Sequence, residues 1–183
     1  MSPSVEIFNL ITAIGALALF IVWVIVFVIF IFNRTRENSL LDFISKYAIL
    51  IAFGHALIAM IISLIYSVVL GYAPCDLCWY QRAFLYPLVF IMGYALIKKD
   101  HSVLEYGIIL SSIGVLIALF HNYIYYFNIS AAPCPANGVS CTLHYVSVFG
   151  FISIPFMALA AFISILVPLL IARFYSPSNI FKI

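Results

Sequence analysis

The chain is 183 residues long, with 67% hydrophobic residues, only 8% charged ones and a formal net charge of +2. That is too little polar surface to coat a water-soluble globule, so most of the chain belongs in a lipid bilayer. A small, scattered positive balance gives no sign of nucleic acid or an acidic substrate as a partner.

Leu10 to Phe32 carries no charge. It is longer than a signal-peptide core and lacks both a basic leader and a small-residue cleavage site, so it reads as a retained membrane span. Arg34, Arg36 and Lys46 follow it. By the positive-inside tendency this link is cytoplasmic and the N-terminus lies outside. A second span is predicted from about Tyr47 to Tyr72, ended by Gly71 and Pro74. The third runs from near Cys78 to Ile97, where Lys98 and Lys99 mark a cytoplasmic turn.

The fourth span, Tyr106 to Phe127, holds Gly107, Ser111, Gly114, Ala118 and His121 at spacings that put all five on one narrow stripe. Small residues in such a stripe let helices approach closely. An external loop from Asn128 to about His144 carries Cys134 and Cys141 among prolines and an Asn137-Gly138 turn. A fifth span is predicted from about Tyr145 to Ala172, with kinks expected at Pro155 and Pro168, and Arg173 and Lys182 return the C-terminus to the cytoplasm. All four cysteines then face outward. Trp79, Tyr80, Tyr72, Tyr123, Tyr125, Tyr126 and Tyr145 fall at the same level and read mainly as interfacial anchors.

The chemistry centres on Cys75-Asp76-Leu77-Cys78-Trp79-Tyr80-Gln81-Arg82. Two cysteines two residues apart can close a disulfide. If Cys78 lies in the first turn of a helix, the unpaired N–H groups and the dipole favour its thiolate. Arg82 follows one turn later on the same face, and a permanent cation at membrane depth nominates a functional site. Two inert staples, a four-thiolate zinc site and a dithiol relay all satisfy the cysteine count. Only the relay also accounts for the cation. No glycine-rich phosphate loop or Ser/His/Asp array supports phosphate or acyl-transfer chemistry.

Pro74 to Pro87, with its Cys-x-x-Cys-Trp-Tyr-Gln-Arg core, resembles the disulfide bond formation proteins DsbB, above all their BdbC-type branch. The Cys134/Cys141 loop and the run Phe149-Gly150-Phe151-Ile152-Ser153-Ile154-Pro155-Phe156 extend the resemblance over about Lys46 to Ala172. Vitamin K epoxide reductase-like proteins are the nearest rival, but there the C-x-x-C follows the loop pair. The resemblance implies an all-α membrane protein, a bundle of four transmembrane helices (37–183) with two external redox loops. One extra N-terminal helix and its cytoplasmic link (1–36) precede it.

The resemblance further implies a quinone-dependent oxidoreductase of the plasma or inner membrane. It would reoxidise an extracytoplasmic thioredoxin-like thiol oxidase, of the DsbA or BdbD kind, and pass electrons to ubiquinone or menaquinone in the membrane pool. Cys134 would take the partner's attack, Cys141 would pass the exchange to Cys75, and Cys78 would face the quinone with Arg82 and His121 nearby. His55, in the middle of the second span, matches no family residue, and a hydrogen bond between helices is expected of it. Trp23 reads as packing, His144 as loop surface, and Glu105 and Asp42 as solvated helix ends.

Overall fold

The computed structural model describes residues 3–100, 102–128, 139–143 and 145–175. Five helices, α1 (Pro3–Phe32), α2 (Ser39–Leu64), α3 (Asp76–Lys98), α4 (Val103–Phe127) and α5 (Ile154–Phe174), are each long and apolar enough to cross a bilayer. In lipid only such a segment satisfies its own backbone polar groups. The protein is therefore a multi-pass membrane protein of essentially all-α architecture, as its composition predicts. Cys75, Cys78 and Cys141 gather at one end of the bundle, called the cysteine end below.

The helix boundaries follow local chemistry. Asn38 caps α2, its side-chain oxygen accepting from the N–H groups of Leu40 and Leu41. At its far end α2 widens into one π-turn, Ile65–Val69, and the chain leaves the helix at Gly71, whose φ of 70° suits glycine. Ser153 caps α5 by accepting from Phe156 N–H.

The start of the fifth span corrects the prediction. Helix begins at Ile154, not Tyr145, because Ser147–Val148 (β1) and Ile152–Ser153 (β2) pair antiparallel around a turn in which Phe149 and Gly150 have φ of 53° and 77°. Pro155 consequently sits in the first turn of α5, where its missing N–H costs nothing, and produces no kink. Pro168 does lie inside the helix. At the other end of the chain, helix starts at Pro3 and Ser39, earlier than the charge-free runs suggest, since polar residues continue a helix beyond the hydrocarbon.

α5 is the hub. More than half of its apolar window is buried (56%), against 33% or less in the other four spans. Leu85, Leu88, Met92, Ala118, Phe162, Ile165 and Leu169 build a core shared by α3, α4 and α5, with Ala52 and Ala56 from α2. α1 adds a second core, in which Trp23, Val26 and Phe30 pack with Leu41, Ile44, Val167 and Ile171. The extra helix is thus an integral layer, and Trp23 packs as expected. The α1–α2 link is tied back to α5 as well, since Arg34 Nε donates to Phe174 O at 3.2 Å and Tyr175 Oη donates to Arg36 O at 3.1 Å.

Gly107, Ser111, Gly114, Ala118 and His121 are all buried, so the α4 stripe does face the bundle. Its tightest point is Gly114, where an added Cβ would stand 2.1 Å from the ring of the fully buried Phe162. Gly114→Ala should therefore destabilise the protein by about 1–3 kcal/mol, read as a drop in thermal unfolding temperature in detergent. Gly107→Ala should cost less. There the nearest atoms to the Cβ are the flexible end of Met92 at 2.5 Å and Leu169 Cδ1 at 2.9 Å.

Candidate active site

α3 starts at the C-x-x-C. Cys75 is its N-cap, just before the span, and Cys78 falls in the first turn. The fold brings their sulfurs to 3.1 Å as free thiols sharing an S–H···S hydrogen bond. Cys141 is disulfide-bonded. Its predicted loop partner Cys134 lies outside the described residues, as do His144 and Lys182. Cys75 Sγ, a His121 ring nitrogen and Cys141 Sγ all stand within 4.8 Å of one another, so a dithiol and a disulfide nearly touch. A sulfur held in a disulfide offers no thiolate to a metal.

The hydrogen bond with Cys78 and, after it, His121 hold the Cys75 thiol far below its usual range, at about 4, against the opposing effect of burial. The first-turn dipole argument pointed to Cys78, but the surroundings single out Cys75. It alone of the pair has the imidazole beside it, with His121 Nε2 3.7 Å away. Gln81 explains the orientation of that imidazole. Its amide Nε2–H donates to His121 Nδ1 at 3.3 Å, leaving the ring proton on Nε2, where it donates to Cys141 O at 3.3 Å and faces Cys75.

Gln81 is buried, and it was given no role by the sequence reading. Its signal was an uncharged hydrogen-bonding side chain on the inner face of a membrane helix.

Because folding depresses this pKa, Cys75 contributes stability that is fully present above the ordinary thiol value, fades as pH falls, and is gone below about 4. The reduced protein should accordingly keep one ultraviolet thiolate band across neutral pH and lose it on acidification through about 4. Cys75→Ser should lack the band. A band that grows in only near the ordinary thiol pKa of ~8.5 would contradict this.

Arg82 lines the same cavity as Cys78. Its guanidinium turns to α2, where Nε donates to Ser63 Oγ at 3.0 Å and Nη2 to Ser63 O at 3.1 Å, while Cζ lies 5.3 Å from the centre of the Trp79 ring. Among the described residues no carboxylate pairs with it. A permanent cation held by neutral groups leaves its charge available to whatever anion forms nearby.

That space is a cavity of about 390 Å³, lined by Cys75, Cys78, Gln81, Arg82 and His121 at the cysteine end and by largely apolar side chains of α1, α2 and α5 further in. Two buried polar atoms on its lining, Tyr72 Oη and His55 Nδ1, lack hydrogen-bond partners among the described residues. The interhelical hydrogen bond expected of His55 is therefore not made there. Its ring instead meets Trp23 edge-on at 5.6 Å. The aromatic belt also divides. Trp79, Tyr80, Tyr123 and Tyr126 are exposed as anchors should be, and Tyr125 is buried. Tyr66, Tyr72 and Tyr145 stack in series, at 5.8 and 4.8 Å, against the cavity.

Comparison with known proteins places these residues in context. Residues 45–172 match the family model "Disulfide bond formation protein DsbB". The chain is 44% identical over 115 residues to disulfide bond formation protein C of Bacillus subtilis, covering 61% of this chain and 82% of that protein. It is 43% identical over 123 residues to "Probable disulfide formation protein C 1" of Bacillus cereus, covering 67% and 88%. With "Probable disulfide formation protein C 2" of Bacillus anthracis it shares 42% over 136 residues, covering 74% and 97%. No solved structure matches.

Proposed function

The chain belongs to the DsbB family of disulfide bond formation proteins, and we propose that it is a quinone-linked oxidoreductase that reoxidises an extracytoplasmic thioredoxin-like thiol oxidase. The observation that carries this reading is a Cys75/Cys78 dithiol whose Cys75 sulfur lies within 4.8 Å of the disulfide-bonded Cys141, on an apolar cavity also lined by Arg82, a cation that no carboxylate pairs among the described residues.

The electrons move by thiol–disulfide exchange. A thiolate of the reduced partner attacks Cys134 of the loop disulfide, and the partner's second thiol closes its own disulfide and releases both loop thiols. The Cys141 thiolate then attacks Cys75 of an oxidised Cys75–Cys78 pair. Resolution of that bond restores the loop disulfide and leaves two electrons on Cys75 and Cys78. Closing a 4.8 Å separation to an S–S bond of ~2.05 Å asks only for a small local movement. His121 supports the thiolate of Cys75, so that this sulfur leaves readily when Cys134 attacks Cys141 and recloses the loop disulfide.

A quinone in the cavity would accept the two electrons and two protons, regenerating the Cys75–Cys78 disulfide. The lining fits such a group, since it offers an apolar slot, a dithiol at one end, the Arg82 guanidinium, and orphaned polar atoms at Tyr72 and His55. Burial of a ring between apolar walls with a few placed polar groups is the usual form of such sites.

The basic residues flanking the opposite ends of the helices support a cysteine end that faces outward from the plasma membrane. In proteoliposomes, a reduced thioredoxin-like oxidase should lose its thiols only when quinone is supplied, with one quinone reduced per dithiol. Labelling by a membrane-impermeant thiol reagent after reduction should reach the cysteine end in intact cells. Partner oxidation at full rate after complete removal of quinone would refute the assignment.

A further inference from the structure

We propose that α1 is one jamb of a lateral window through which the tail of the membrane-borne acceptor leaves the cavity, and that Gly15 sets the width of that window. The inference rests on the quinone reading above. The family match begins at residue 45, beyond the end of α1 at Phe32, so this wall is additional to the part of the chain shared with the family.

α1 and α2 meet through side chains at two levels. Toward the cysteine end, Thr12 Oγ1 and Tyr66 Oη are 2.6 Å apart and Phe8 lies edge-on to Tyr66 at 5.4 Å. Further in, Trp23 meets His55 at 5.6 Å. Between these two bridges α1 offers Gly15, Ala16 and Leu19, and α2 offers Ile58, Ala59 and Ile62, all on the cavity lining. Gly15 and Ile58 are exposed, and a Cβ built on Gly15 would meet no atom within 4 Å. The cavity therefore opens sideways at Gly15, between an upper and a lower strut.

The α1 lining positions Ile11, Thr12, Gly15, Ala16 and Leu19 share one helical face and extend over about 12 Å at 1.5 Å per residue. A slot of that length, floored by Ala158 and Ala161 of α5, fits a flexible hydrocarbon chain better than a second polar ring. Its continuity with Cys78 and Arg82 ties it to the acceptor instead of to a structural lipid. A ring held at the cysteines would then trail its tail past Gly15 into the bilayer.

The test uses the full-length, fully oxidised protein, so that nothing turns over, and reads equilibrium binding by quenching of the two tryptophans. The probes are a benzoquinone bearing a decyl chain and the same ring with a methyl in its place. Gly15→Leu, whose Cβ has open space around it, should weaken the decyl quinone about tenfold or more while leaving the short quinone within about twofold. Gly15→Ala should show a smaller shift in the same direction. Ala18→Leu, exposed on α1 but off the lining, should change neither.

Equal weakening of both quinones in Gly15→Leu, no weakening of either, or an equal effect of Ala18→Leu, overturns the window while leaving the functional reading in place. Failure of the wild-type protein to bind either quinone overturns the functional reading and the window with it.

Discussion

Cys75→Ser is expected to abolish acceptor-coupled turnover, by on the order of a thousandfold or more, while leaving the loop disulfide able to oxidise one equivalent of partner. The reason is geometric. Cys75 Sγ is the thiol within 4.8 Å of Cys141 Sγ, and it is the sulfur that His121 faces. A serine oxygen in its place can neither form nor leave a disulfide, so the loop cysteines, once reduced, stay reduced. The measurement is rapid-quench trapping of thiols after mixing with reduced partner. A single stoichiometric burst followed by no further oxidation is the expected trace. Continued turnover in Cys75→Ser would move the exchange to Cys78, whose sulfur lies 3.1 Å further along the pair.

Arg82→Gln should slow acceptor reduction by about tenfold for each ~1.4 kcal/mol of stabilisation lost, and by at least one such factor, with exchange at the loop pair unchanged. Arg82 is anchored by both Ser63 Oγ and Ser63 O and carries a charge that no carboxylate neutralises among the described residues. Glutamine can still donate to Ser63, so the variant removes the charge while keeping the scaffold. Arg82→Lys should fall between the two, because a point charge on a flexible stem replaces a planar fork with two fixed donors. Stopped-flow rates of the two half-reactions in well-folded variants decide the matter. Equal loss in both half-reactions, or none in either, would leave Arg82 as an interfacial anchor beside Trp79.

How much of this was legible beforehand depended on which physical signal each residue carried. The α4 stripe was readable because small residues at helical spacing have only one use in a membrane bundle, and all five of its members are buried. The C-x-x-C was readable because a helix must begin between Pro74 and Trp79, and it begins at Asp76. The β1–β2 hairpin was not, since Val146 to Ile154 is largely apolar and a strand of two residues shows no period that a hydrophobic background would not hide. Its clue was Gly150, which takes the positive φ of the turn.

The orientation of Arg82 toward Ser63 was equally hidden. Spacing along α3 says which face the side chain leaves from, but the partner that holds it sits on α2. The imidazole beside Cys75 was hidden for a similar reason. The helix start acts along one element, whereas His121 and Gln81 arrive from tertiary packing. α1's part in the cavity could not be read from α1 at all, because a helix apolar on every side does not announce which face meets protein and which meets lipid.

The burial of α5 has a consequence for how the protein is made. The most buried of the five helices is the last of them to leave the ribosome. Docking of α1, which packs chiefly against α5, and closure of the bundle therefore wait until that helix is inserted, although α2 and α3 can already join through Ser63 and Arg82. β1, β2 and the cap at Ser153 arrive with it, and so does Asn122's partner, the carbonyl of Pro155 2.8 Å away. A nascent chain halted before Ile154 would carry all four cysteines, yet the α5 face of the acceptor cavity would not exist. Assembly of the redox site is in this way deferred until the last of the five spans is in place to contain it.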